Sequence, residues 1–175
     1  MDRFICAHED IEPSKEWQKV IENALLTMDA LIVLFSKEFH NSKWTDQEVG
    51  AAIGSKKFII VIKLDETDPY GFIGKLQAIN YKVDIKILTI NLLSILVNNE
   101  KISLKYLSIL IERFEKSENF TETKYLLEVL KEIKKLPEEY IKKIEIAYQN
   151  NDQIKKYCKS WKILELCRKW RQIKA

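Results

Sequence analysis

At 175 residues, with 46% hydrophobic and 31% charged side chains, the chain is long enough to bury a sizeable core and is globular in composition. Cys6, Cys158 and Cys167 show neither metal-ligand spacing nor a disulfide framework. That argues against a zinc module or a cysteine-stapled secreted scaffold and points to reduced thiols in the cytoplasm, with no metal expected. No apolar run approaches a membrane span, and the first residues lack a signal-peptide layout. The net charge of +3 hides an asymmetry: residues 1–80 carry 9 basic and 13 acidic side chains, the remainder 20 and 13. All four glycines lie in the first half. Two regions are therefore expected, residues 1–80 and residues 83–175.

In chain order, residues 4–7 (FICA) form a short apolar run read as a strand, and residues 8–14 a polar loop whose Pro13 suits a first helical position. Trp17, Val20, Ile21, Ala24, Leu25 and Met28 recur at i, i+3, i+4, i+7, i+8 and i+11, the stripe of an amphipathic helix. Residues 30–35 and 58–64 are short, β-branched or aromatic runs that read as buried strands, with a helix over residues 44–53 between them. Alternating strands and helices predict a parallel sheet with right-handed crossovers. Residues 65–74 are turn-rich around Asp68-Pro69-Tyr70-Gly71.

Beyond Val83 the pattern is helical throughout. One helix spans residues 85–97. Ser103 is read as the cap of a second, with Leu104, Leu107, Leu110, Ile111 and Phe114. Thr121 is read as the cap of a third, with Phe120 as a hydrophobic staple, and Pro137 opens a fourth. Asp152 is read as the cap of a last long helix over residues 154–174, whose stripe is Tyr157, Trp161, Leu164, Cys167, Trp170 and Ile173. Helix starts recur about every 15–20 residues, the rhythm of stacked antiparallel hairpins. No sequence self-similarity names a repeat. The last helix holds eight basic residues against Glu165 alone. Such a helix can meet nucleic acid or a membrane surface. The favoured reading is that its stripe docks on the preceding helices, with the lysines facing water and no nucleic acid bound.

The stretch from Ser42 to Gly50 (SKWTDQEVG) is the centre of the first region. Trp44 and Glu48 are four residues apart, so on one helix they share a face. A carboxylate near a strand's carboxyl end lies where open α/β sheets bind ligands. Thr45 and Glu48 also satisfy capping-box spacing, so two readings stand: a ligand-facing carboxylate or a helix cap.

Three stretches in this order, FICAHEDIEPSKEW (4–17), SKWTDQEVG (42–50) and DPYGFIGKLQ (68–77), resemble a bacterial or archaeal TIR (Toll/interleukin receptor) domain over roughly the first eighty residues. The resemblance implies a flavodoxin-like parallel sheet, followed here by an all-α region. It also implies two family roles, NAD glycohydrolase in signalling or immunity and adaptor acting by self-association. The family's catalytic glutamate ends a Trp-x-x-x-Glu pattern, here Trp44 and Glu48. Trp44, His8 and Trp17 are the positions it places near the nucleotide, with NAD as substrate and no cofactor. A homo-oligomer through TIR contacts is expected. The family's first strand, its loop and its first helix have no counterpart ahead of residues 4–7, so an N-terminally incomplete domain is the expectation.

The chemistry is consistent with one carboxylate. Cleaving the nicotinamide–ribose bond passes through an oxocarbenium-like state, as in glycoside hydrolysis. Nicotinamide is cationic in the substrate and leaves neutral, so no general acid is required. Glu48 is the candidate for stabilising positive charge at the anomeric carbon. Trp44 either shapes the site or packs in the core.

Overall fold

The computed structural model describes residues 17–42, 44–82, 84–158 and 160–173. The strand expected over residues 4–7 and the loop with His8 lie outside the described residues. The chain divides into two compact units, Met1–Asp84 and Ile85–Ala175.

In the first unit, helix α1 (Trp17–Thr27) precedes strand β1 (Ala30–Phe35), a 3-10 turn (Lys37–Asn41), helix α2 (Thr45–Gly54), strand β2 (Phe58–Lys63), a second 3-10 turn (Gly71–Ile73) and a two-residue strand β3 (Ile79–Asn80). The stripe read on α1 is half-buried at Val20, Ile21, Ala24 and Leu25, while Lys19, Glu22, Asn23 and Leu26 are exposed. All described pairings are parallel, in the order β1-β2-β3, with Ala30 opposite Phe58 and Phe35 opposite Lys63. This is the parallel sheet that the alternation of strands and helices predicted, and it is consistent with the flavodoxin-like fold that the resemblance implied.

Period-two side chains divide the sheet into two faces. Val33, Phe35 and Val61 point to one face, where they form a core with Val49 of α2, Phe39 and Ile73. Ile60 and Ile62 point to the other and are also buried. A strand covered on both faces needs a continuous apolar run, which is why β2 reads FIIVIK rather than alternating.

The second unit holds α3 (Ile85–Val97), α4 (Ser103–Glu115), α5 (Phe120–Glu132), α6 (Glu138–Asn150), α7 (Asp152–Tyr157) and α8 (Ser160–Gln172). They stack in two layers: α3 on α5 on α7, and α4 on α6 on α8. Ties within and between these layers join residues 33–37 apart. Asn98 donates to Glu132 O at an offset of 34 residues, and Asn151 to Glu115 O at 36. Trp170 Nε1 donates to Ile133 O at 37, and Arg171 to Glu138 at 33. A stack of helix hairpins is thus present, as the rhythm of helix starts implied. It is carried by apolar positions and helix-end amides, which many residue types satisfy.

Several helix ends differ from the sequence reading. Asn119, not Thr121, caps α5, its side chain accepting the Glu122 amide; Phe120 is the first helical residue and half-exposed rather than a staple. Ser103 is the first residue of α4 behind Ile102, which makes no side-chain cap bond. Pro137 is the cap position of α6, one residue ahead of the helix. The single last helix is two: Asn151 caps the short α7, and the chain turns extended at Cys158 before α8. The buried stripe of α8 is Ile163, Cys167 and Trp170, with Leu164 and Ile173 outside it at 47% and 43% exposure. Docking of this helix on its neighbours is therefore real, through a stripe rotated by one position at Leu164. Among the described residues no helix is long and apolar enough to cross a membrane.

Candidate functional site

Because β1 and β2 are parallel, the loops leaving their carboxyl ends emerge on the same side of the sheet, where open α/β sheets take ligands. The β1 loop is the 3-10 turn and the start of α2; the β2 loop is residues 64–78. Asp65 ties the two, its carboxylate accepting the Lys37 amide at 2.8 Å and the Thr67 amide at 2.8 Å. These backbone donors, Lys37 first, hold its carboxyl below the ordinary aspartate range.

Trp44 occupies the cap position of α2 in a helical conformation and makes no side-chain cap bond. The Thr45 hydroxyl donates to Phe39 O at 2.8 Å and to Ser42 O at 3.2 Å, while the Glu48 amide bonds Trp44 O at 2.9 Å. The threonine half of a Thr45–Glu48 capping box is thus not formed: the helix starts one residue early, and Thr45 anchors it to the preceding turn. Glu48 is half-buried in that first turn, and Trp44 is 39% exposed, too open for a core indole.

The β2 loop reaches the same turn. Tyr70 Oη donates to Asp46 Oδ1 at 2.6 Å, and its ring lies edge-on to Phe35 (5.8 Å between centroids) and Phe39 (6.5 Å). Burial first, and the Asp46 carboxylate second, push the Tyr70 phenol up to about 12.

Of the residues read from sequence, the structure places Trp44 and Glu48 together in the first turn of α2; Trp17 is the first residue of α1. His8 lies outside the described residues. Sequence reasoning missed Asp46 and Tyr70. The only hint was a tyrosine inside a Pro-Gly turn, and a bond across 24 residues has no local signature.

A parallel sheet with helical crossovers and loops meeting at its carboxyl edge defines the flavodoxin-like class. Residues 3–87 match the model of the TIR domain family, and over that span the chain is a TIR domain. At the level of the family this is a signalling or immunity module, and TIR domains commonly self-associate. No curated protein and no solved structure matches the chain.

Proposed function

We propose that the TIR domain cleaves NAD at the nicotinamide–ribose bond, with Glu48 stabilising the positive charge that develops on the ribose. The helical unit then serves as a sensing or assembly module. The observation that carries this reading is the first turn of α2: a half-buried carboxylate and an open indole, four residues apart, at the carboxyl edge of a parallel sheet. A negative charge fixed in a partly dehydrated crevice acts on a developing cation far more strongly than one in water. Trp44 offers a flat apolar wall for a ring of the nucleotide and keeps water from the same face.

The test is NAD turnover by the full chain, with and without forced oligomerisation, for wild type and Glu48→Gln. The substitution keeps shape and removes charge, so turnover is expected to fall by about 10²–10³-fold with the melting temperature unchanged. A lowered melting temperature with unaltered turnover would make Glu48 a structural residue and end the enzymatic reading.

A second reading, a non-catalytic module assembling through TIR contacts, is favoured by Phe72. It is 80% exposed on the β2 loop, between Tyr70, hydrogen-bonded to Asp46, and the buried Ile73. A large apolar side chain held outward by anchored neighbours is pre-organised for contact. Under this reading Phe72→Ser shifts the wild-type assembly toward monomer in light scattering. An unchanged mass distribution removes Phe72 from the contact.

A further inference from the structure

We propose that Tyr70 is a positioning residue for this site, acting through Asp46 to hold the first turn of α2 against the β2 loop. The proposal rests on the assignment of Glu48 to NAD cleavage.

The need for such a tether lies in α2 itself. The helix is ten residues long and its cap position, Trp44, makes no side-chain cap bond. Short helices without caps fray at their first turn, and that turn carries Glu48. Side chains from both loops tether it, and Ser42 Oγ accepts the Trp44 amide at 3.3 Å. Thr45 binds it to the 3-10 turn just before it, which belongs to the same loop. The Tyr70–Asp46 bond crosses from the neighbouring β2 loop.

That bond is well referenced to the sheet. The Tyr70 ring rests against Phe35, the fully buried last residue of β1, and against Phe39. The loop closes tightly on the Tyr70 backbone: a Cβ on Gly74 would lie 3.1 Å from Pro69 O and 3.2 Å from Tyr70 Cα, and Gly71 adopts φ +57°. Asp46 sits about 200° round the helix from Trp44, so the tether leaves the Trp44–Glu48 face clear. With its phenol held protonated, Tyr70 remains a donor across the neutral range.

The experiment compares full-chain Tyr70→Phe, Asp46→Ala, the double variant and Asp46→Asn. Tyr70→Phe and Asp46→Ala are each expected to lower kcat about tenfold with KM within about twofold, because a loosened carboxylate is misplaced rather than lost. The double variant falls no further than either single one, since both remove one bond. Asp46→Asn, whose amide oxygen still accepts the phenol, stays within about twofold of wild type. Amide hydrogen exchange over residues 44–48 quickens in Tyr70→Phe and Asp46→Ala and not in Asp46→Asn. Losses that multiply in the double variant, or an Asp46→Asn as poor as Asp46→Ala, overturn the proposal. If the wild-type chain turns over no NAD, the assignment of Glu48 falls. The exchange measurement then decides alone whether Tyr70 holds the turn, and unaltered exchange in Tyr70→Phe overturns that too.

Discussion

The two units solve opposite problems. Among its described residues the sheet unit has a cluster of buried side chains, Val33, Phe35, Phe39, Val49, Val61 and Ile73, and polar ties at the loops leaving the carboxyl ends of its strands: Lys37 to Asp65, Thr45 to Phe39, Tyr70 to Asp46. The helical unit buries a large apolar cluster from Val97 to Trp170, with a buried Thr123–Ser117 hydrogen bond, and uses polar side chains to lock helix ends. Asn151 alone donates to Glu115 O and Ser117 O while accepting the amides of Gln153 and Ile154. Stability in the second unit is distributed along a repeating stack, whereas in the first the loops that hold chemistry are also the loops that need tethering.

The strongest way to break this comparison is at Trp170. Its ring is 1% exposed and its indole N–H is bonded to Ile133 O at 2.9 Å. Trp170→Ala is expected to cost about 3–5 kcal/mol, the range for emptying a large aromatic site. Reagent access to Cys158 and Cys167 reports it. Burial pushes both thiols up to about 11, so in a Cys6→Ser background neither reacts in the folded unit. In Trp170→Ala labelling accelerates while exchange protection in β1 and β2 stays unaltered. Equal loss of protection in both units would show one cooperative fold rather than two.

A smaller effect sharpens the other side. The Asp65 carboxyl is lowered in the folded chain, chiefly by the Lys37 amide. A group whose folded value is depressed adds stability above its ordinary value, and that contribution disappears as pH falls through the folded value. The amides of Lys37 and Thr67 therefore lose exchange protection on acidification below the usual aspartate range. Asp65→Asn removes that pH dependence while leaving the helical unit as it was. A pH response unchanged in Asp65→Asn assigns it to another group.

What the sequence by itself determined is set by local patterns of apolar side chains. The apolar runs at residues 30–35 and 58–64 are short and continuous, and the stripe of α1 recurs at 3.6 residues, properties each segment carries alone. The Trp44–Glu48 spacing likewise placed two residues on one face before any fold was known. What only the tertiary structure decided depends on groups distant in sequence. Thr45 looked like a cap but is the first helical residue behind Trp44, and its hydroxyl donates to the Phe39 carbonyl of the 3-10 turn. The caps at Asn119 and Asn151 displaced Thr121 and Asp152, since a cap is chosen by which side chain reaches the free amides once the chain has bent. The Trp170–Ile133 bond and the Tyr70–Asp46 tether have the same origin. Each joins atoms more than twenty residues apart, where only the folded backbone decides who the neighbour is.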